Sequence, residues 1–223
     1  MKYIFDISCL DTYASGAKQR FLELYSELIK KNKKKNFLII YTTFNEVKKY
    51  FNYPNVTFKK NKFSQDNYIK KIISIIYIYF YTLLNSKKIR SIEFFTLPFL
   101  KIKKCHNIFT IHDLRRIYFS ESILMKLLYK FFFKFFLKSA DSIIVVSHSI
   151  KKEIFYHFNK LKVSVIYNTI DYYSFKKITQ KNIIKVKKKY NLPERFILTV
   201  GHQEKRKNYL RLIKAIKILK QDK

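Results

Sequence analysis

The sequence predicts an α/β fold built on a doubly wound parallel sheet. Short apolar runs alternate with helical patterns along the whole chain. Several of these runs, such as residues 37–40 and 143–146, are apolar throughout, which is typical of strands buried on both faces of a parallel sheet. The two glycines, Gly16 and Gly201, both fall where a predicted strand passes into a predicted helix. In such folds ligands bind outside the carboxyl ends of the strands, so the loops that follow the strands are the candidate sites.

The alternation of patterns gives eight strands and seven helices. The predicted strands cover residues 3–8, 37–42, 56–59, 91–96, 107–112, 142–147, 163–167 and 196–200. The predicted helices cover residues 17–32, 45–51, 66–84, 121–139, 149–158, 182–189 and 208–220.

The order of these elements predicts one complete domain and the beginning of another. Residues 1–175 hold seven of the eight predicted strands and are interpreted as an N-terminal domain. Residues 176–193 are lysine-rich, weakly periodic and end at Pro193, as a linker does. Residues 194–223 would then form only the first β-α unit of a second domain, which is too short to bury a core of its own.

The composition is strongly basic, with 47 Lys and Arg against 15 Asp and Glu and a formal net charge of +32. Such a charge favours anionic partners, namely nucleic acid, an anionic membrane surface or a phosphorylated substrate. An AT-rich genome is the alternative explanation, because the other abundant residues (Asn, Ile, Phe and Tyr) also have AT-rich codons. We predict no nucleic-acid partner, because no helix-turn-helix, zinc-finger, RRM or KH signature is present.

The sequence predicts a cytoplasmic protein that is at most peripheral at the inner face of a membrane. No signal-peptide pattern follows Met1. The longest apolar run without charge, residues 72–84, would span about 20 Å as a helix, against the roughly 30 Å of a bilayer core. The predicted helix over residues 121–139 is rich in Phe and Leu and carries a lysine every fourth residue from Lys126 to Lys138. Contact with anionic lipid and packing on the core with a solvated lysine stripe both explain this pattern.

Two candidate site segments follow strands in the N-terminal domain. Gly16, preceded by Ser15, lies between the first strand and the first helix, where the lack of a Cβ lets a ligand approach the backbone closely. His112 and Asp113 end an apolar run at the carboxyl end of a predicted central strand. A polar ligand would suit both segments, whereas a plain loop glycine and a capping aspartate are the alternatives.

A third candidate site lies at the end of the chain. The predicted strand over residues 196–200 ends at Gly201, and Lys205, Arg206 and Lys207 precede the last helix. A glycine turn that feeds a helix through cationic residues is suited to bind phosphate, because backbone N–H groups and positive charge converge there. A dinucleotide-binding GxGxxG and a P-loop are both absent from the sequence.

Five segments, in this order, resemble motifs of glycosyltransferase family 4, the retaining "group 1" glycosyltransferases. The segments are Ser15-Gly16-Ala17, IFTIHDL at residues 108–114, ADSIIVVSHS at residues 140–149, VIYNTID at residues 165–171 and FILTVGHQEKRKNYLRLIKAI at residues 196–216. The resemblance implies the N-terminal domain of a GT-B type fold, in which two Rossmann-like domains face a cleft. It covers nearly all of the chain but only the first half to two-thirds of a family member.

The resemblance implies transfer of a hexosyl unit, with retention, from a nucleotide-sugar to a cell-surface glycan or lipid-linked acceptor. Arg206, Lys207 and Gly201 would hold the donor diphosphate, and the cations would stabilise the leaving group. His112 and Asp113 would act as catalytic residues near the transferred sugar, and Ser15 and Gly16 would line the acceptor side of the cleft. No metal or other cofactor is implied, because the sequence has no DxD triplet.

The chain departs from the family pattern in ways that leave a second interpretation open. Thr169 replaces the usual glycine after Asn168, and no two glutamates are eight residues apart, so the family's E-x7-E element is absent. We therefore expect a split or truncated enzyme that needs a missing C-terminal half for donor binding. The alternative is a non-catalytic peripheral membrane-binding protein on the same fold.

Overall fold

The computed structural model of the chain describes residues 1–10, 15–63, 68–95, 101–118, 122–159, 162–169, 178–201 and 207–221. The chain divides into two compact units, Met1–Ile170 and Asp171–Lys223. The predicted end of the first domain at residue 175 and the linker after it stay predictions.

The first unit is built on a seven-stranded sheet in which all the pairings are parallel. The strand order is β3-β2-β1-β4-β5-β6-β7, so the chain winds outward from β1 in one direction and then returns to wind in the other. The strands are β1 (Lys2–Asp6), β2 (Asn36–Tyr41), β3 (Val56–Lys60), β4 (Ile89–Phe94), β5 (His106–Ile111), β6 (Ser142–Val145) and β7 (Val163–Val165). The predicted doubly wound α/β fold is confirmed, and each of the first seven predicted strands has its counterpart.

Helices lie between successive strands except between β4 and β5, where the described residues contain none. In chain order the helices of the first unit are α1 (Gly16–Arg20), α2 (Ser26–Lys31), α3 (Val47–Tyr50), α4 (Tyr68–Leu84), α5 (Arg115–Tyr118), α6 (Ile123–Ser139) and α7 (His148–Phe158). A π-helical turn, Phe21–Tyr25, separates α1 from α2, where the sequence predicted one continuous helix. A 3-10 turn, Ser86–Lys88, leads into β4.

The core lies on both faces of the sheet, because successive strand residues point to opposite sides. On β1, Phe5 packs against Phe21 and Tyr25 of the π-helical turn. Its neighbour Ile4 belongs to a separate cluster on the other face with Ile78 of α4. Burial on both faces explains why neighbouring residues of the central strands, such as Ile4 and Phe5, are both apolar.

The second unit lacks the predicted strand over residues 196–200. Those residues form no ladder and are exposed to solvent. An isolated segment has no partner for its backbone N–H and C=O groups, and among the described residues of this unit no strand is present to pair with it. Two helices are present, α8 (Gln180–Lys189), which Thr179 caps through the N–H of Asn182 at 3.3 Å, and α9 (Tyr209–Gln221).

Candidate functional site

The candidate site lies where the carboxyl ends of the central strands meet. The strand order reverses between β1 and β4, and such a switch point opens a crevice at that edge of the sheet. Asp6 ends β1, and the N–H of Phe95 after β4 donates to the carbonyl of Asp6 at 3.3 Å. His112 directly follows β5. The fold therefore places the predicted His112 at the edge where a parallel sheet binds its ligands.

The predicted glycine loop forms the beginning of α1. Ser15 is the N-cap, and its Oγ accepts a hydrogen bond from the N–H of Lys18 at 3.2 Å. Gly16 is exposed, and a Cβ built there would meet no atom within 4 Å. The surrounding described residues therefore do not require a glycine at this position, and its predicted contact with a ligand stays a prediction.

His112 is half buried and electrically neutral near pH 7. Its ring stacks on Phe95 with the centroids 6.2 Å apart. Burial, aided by the positive charge of Arg20 and opposed by Asp113, lowers the pKa of His112 to about 4. Its Nε2 is buried and has no hydrogen-bond partner among the described residues. At this edge, the Nε2 of a neutral imidazole is suited to form a hydrogen bond with a hydroxyl group of a ligand.

Asp113 is exposed and takes part in a turn. Its Oδ1 accepts a hydrogen bond from the N–H of Arg115 at 3.1 Å, at the start of α5. This contact supports the capping role that the sequence left open beside the catalytic one. The catalytic role of Asp113 stays a prediction.

Arg20, the last residue of α1, is a buried cation that sequence reasoning missed. Its side chain is 1% exposed. The Nη1 group donates to the carbonyls of Ile166 at 2.7 Å and Tyr167 at 2.8 Å, and to Oδ1 of Asn168 at 3.3 Å. Arg20 thus connects the helix after Gly16 to the VIYNTID motif that follows β7.

A buried carboxylate, Glu93 on β4, lies near this cation. Tyr25 Oη and Thr110 Oγ1 both donate hydrogen bonds to Oε1 of Glu93. Burial raises the pKa of Glu93, against the opposing effect of these two hydrogen bonds and of the Arg20 charge. Burial and the adjacent Glu93 also raise the pKa of Tyr25 well above its usual value. A glutamate between the apolar residues Ile92 and Phe94 of a predicted strand was the available sequence signal for this cluster.

Asp6 is a second buried carboxyl group that the sequence analysis did not single out. It accepts a hydrogen bond from the N–H of Ser8 at 3.1 Å. Burial raises the pKa of Asp6 to about 6, against the smaller effect of the hydrogen bonds from Ser8. The side chain is therefore partly protonated in weakly acidic solution.

The second unit brings together two of the three residues predicted to bind the donor diphosphate. Gly201 has a φ of 148°, and a Cβ there would lie 2.9 Å from Tyr209 Oη and 3.3 Å from Cε of Lys207. Only glycine fits this backbone without strain. Arg206 lies outside the described residues, and diphosphate binding stays a prediction.

The order of the parallel strands defines the first unit as a Rossmann-like domain. Residues 89–172, which include β4 to β7 and His112, match the family described as Glycosyltransferase Family 4. The predicted resemblance to this family is therefore confirmed.

Two known proteins are similar to the chain. The O-antigen chain mannosyltransferase RfbU of Salmonella typhimurium is 27% identical over 172 residues, which are 74% of this chain and 43% of RfbU. The crystal structure of Anabaena HepE in complex with UDP and glucose matches the fold with a TM-score of 0.56 and 13% identity. That match covers 86% of this chain and 50% of HepE. The chain thus spans about half the length of the proteins it matches.

Two properties bear on the remaining sequence predictions. Within the part of the chain that the structure describes, no helix is both long and apolar enough to cross a bilayer. In the same described ranges, no group of three His, Cys, Asp or Glu side chains lies close enough to hold a metal ion. The absence of a metal from the reaction stays a prediction.

Proposed function

We propose that the chain is the acceptor-side part of a retaining group 1 glycosyltransferase. It would take part in the transfer of a hexosyl unit from a nucleotide-sugar to a cell-surface glycan or lipid-linked acceptor. The carrying observation is the neutral, half-buried His112 at the carboxyl end of β5, inside the segment that matches the family. The O-antigen relative supports a glycan acceptor, and the neighbour solved with UDP supports a nucleotide-sugar donor.

The proposed chemistry divides between the two units of the chain. His112, with its free Nε2, would hold a hydroxyl of the transferred sugar or the acceptor. Arg206 and Lys207, beside the glycine turn at Gly201, would hold the donor diphosphate. Their positive charge would stabilise the leaving group as the glycosidic bond breaks, which is the electrostatic work that a metal does elsewhere. A C-terminal half, supplied by the rest of a longer chain or by a partner, would bind the nucleoside.

The test is transfer of labelled sugar from a panel of nucleotide-hexoses to lipid-linked glycan acceptors. The chain is assayed alone and together with the second domain of a related enzyme, and NMR of the product gives the anomeric configuration. His112→Ala is expected to lower kcat about 100-fold. The matched control is His106→Ala, because His106 lies at the opposite end of the same strand, where it contacts Ser142.

The outcomes separate the parts of the proposal. No transfer from any donor, alone or reconstituted, would refute the glycosyltransferase proposal. Transfer that survives in His112→Ala as well as in His106→Ala would refute the role of His112 only. Asp113→Asn keeps the acceptor for the turn at Arg115 but removes the charge, so full activity of this variant would exclude a catalytic carboxylate at position 113.

The surface of α6 favours a second candidate function, peripheral binding to an anionic membrane. One side of α6 packs on the core through Phe133, Phe136 and Leu137. Large apolar side chains nevertheless remain exposed elsewhere on the helix, among them Leu127 at 61% and Phe131 at 67%. The exposed apolar residues of α6 are Ile123, Leu124, Met125, Leu127, Leu128, Phe131, Phe132 and Phe135. A core helix with only a solvated lysine stripe would not leave them in water.

The charge of α6 complements an anionic lipid surface. The helix carries Lys126, Lys130, Lys134 and Lys138 and no acidic residue. Exposed Phe and Leu beside lysine is the pattern of a helix that lies in the headgroup region. This binding is compatible with catalysis on a lipid-linked acceptor and also with the non-catalytic alternative.

Vesicle co-sedimentation tests this second function. The chain is expected to bind vesicles that contain phosphatidylglycerol, to bind phosphatidylcholine vesicles weakly, and to dissociate as salt increases. Changing the four α6 lysines to Gln should reduce binding strongly. Changing Lys181, Lys185, Lys187 and Lys188 of α8 removes the same charge and should reduce it much less. Equal binding to both vesicle types, or an equal loss in both variants, would contradict the proposal.

A further inference from the structure

The buried guanidinium of Arg20 is arranged unusually for a residue that only stabilises the fold. Its three hydrogen bonds all come from Nη1, whereas Nε and Nη2 are buried without a partner among the described residues. The ion pairs found in the described part of the chain, Lys30–Glu27 and Lys101–Asp141, do not include it. A buried cation without a carboxylate within ion-pair distance destabilises the folded state. The three hydrogen bonds account for one nitrogen of the guanidinium, so the cost of burying the rest of the charged group calls for a further role.

The acceptors of Arg20 lie on a distant part of the chain. Arg20 ends α1, whereas Ile166, Tyr167 and Asn168 follow β7 at the far edge of the sheet order. The N–H of Ile166 donates to the carbonyl of Val145 at 2.9 Å, so this segment is also fixed to the end of β6. The Arg20 side chain therefore joins α1 to a segment that is itself bonded to the end of β6.

We infer that Arg20 is a positioning residue that fixes the segment after β7 to the helix after Gly16 and keeps a positive charge beside His112. The inference deepens the proposed function, since both segments belong to the candidate cleft. It assigns no contact with substrate to Arg20. Its test does not require glycosyl transfer, so it can fail or succeed independently of that proposal.

The positive charge of Arg20 acts on a small set of titratable groups. His112 experiences the positive charge of Arg20 from α1 and the negative charge of Asp113 from its own loop, while Phe95 after β4 covers its ring. The charge of Arg20 also acts on Glu93 and Tyr25, where it opposes the rise in pKa that burial causes. Loss of the Arg20 charge should therefore raise the pKa of His112.

The experiment is a histidine NMR titration of the full chain, with the His112 signal assigned by its loss in His112→Gln. In the wild type the signal should titrate near pH 4, well below the usual 6.5. Arg20→Met should move the midpoint toward 6.5, and Arg20→Lys, which restores the charge, should keep it low. Lys31→Met is the matched control, because it removes an exposed charge from the next helix, and it should leave the midpoint unchanged.

A second measurement follows the connection between the segments. Hydrogen exchange of the peptide that covers residues 163–169 should accelerate in Arg20→Met, and to a smaller extent in Asn168→Ala, which removes one acceptor but keeps the cation. A wild-type His112 that titrates near 6.5, or an unchanged midpoint in a folded Arg20→Met, would overturn the electrostatic part. If Arg20→Met does not fold, the wild-type titration still tests the electrostatic part. Hydrogen exchange in Asn168→Ala then tests the positioning part, and an unchanged exchange rate of residues 163–169 would overturn it.

Discussion

At the scale of single residues, Asp6 and His112 affect stability in opposite directions as the pH falls. The folded chain holds a proton on Asp6 up to about pH 6, whereas the usual pKa is 3.8, so the stability from Asp6 is present below 3.8 and lost as pH rises through 6. The pKa of His112 is 6.5 in an unfolded chain and about 4 when folded. The stability that the neutral His112 contributes is fully present above pH 6.5 and is lost as the pH falls through 4. Between about pH 4 and 6 the two contributions oppose each other.

Asp6→Asn is expected to stabilise the protein at neutral but not at acidic pH. Asparagine still accepts the hydrogen bond from Ser8, but it removes the cost of burying a charged carboxylate. The free energy of unfolding should rise by roughly 1–3 kcal/mol at pH 8. Near pH 4 little change is expected. Urea unfolding at both pH values measures this, and an equal gain at both would mean that the charge of Asp6 is not responsible.

Sequence reasoning singled out His112, Ser15 and Gly16 because each follows a predicted strand, a position that the pattern of apolar runs reveals; their roles stay predictions. It missed Arg20 and Glu93, because their proximity depends on contacts between chain segments far apart in sequence. Arg20 in particular lies on a short polar helix between the exposed Gln19 and an apolar turn, and nothing in the sequence around it marks the cation as buried. Only the folded chain brings it to residues 166–168.

At the scale of elements, apolar runs predicted strands such as β2 well, because burial on both faces of the sheet leaves a simple sequence signal. The run over residues 196–200 is as apolar as these, yet it forms no strand. Strand formation needs a neighbouring strand, which composition alone does not report. The π-helical turn at Phe21–Tyr25 was also not predictable, because Phe21, Tyr25 and Ile29 keep an ordinary helical spacing.

The start of α7 gives a prediction at this scale. Ser147 is the N-cap of this helix, and its Oγ accepts a hydrogen bond from the N–H of Ile150 at 3.2 Å. Ser147→Ala should lower the free energy of unfolding by about 1 kcal/mol. Ser149→Ala, an exposed position within the helix, should change it by less than about 0.5 kcal/mol. Thermal unfolding of both variants measures the difference, and similar losses would contradict the assignment of the cap.

At the scale of the whole molecule, the net charge of +32 is a source of self-repulsion. Lysines occur in both units, and in the described residues of α8 alone there are Lys181, Lys185, Lys187, Lys188 and Lys189. Few of these charges can be neutralised, since the chain has only 15 acidic residues, and Asp6 and Glu93 are buried. Repulsion between exposed charges is screened by salt, with a Debye length of about 30 Å at 0.01 M and about 3 Å at 1 M.

The Tm should therefore rise when sodium chloride is increased from about 0.02 M to 0.5 M. A gain of about 1 kcal/mol corresponds to roughly 2–4 °C for a chain of this size. A chain with Lys181, Lys185, Lys187 and Lys188 changed to Gln starts with less repulsion, so its Tm should rise less over the same range. Calorimetry at both salt concentrations measures this, with sucrose as a control that stabilises without screening charge. A Tm that does not respond to salt, or responds equally in the variant, would show that the excess lysines are too far apart or too well solvated to oppose folding.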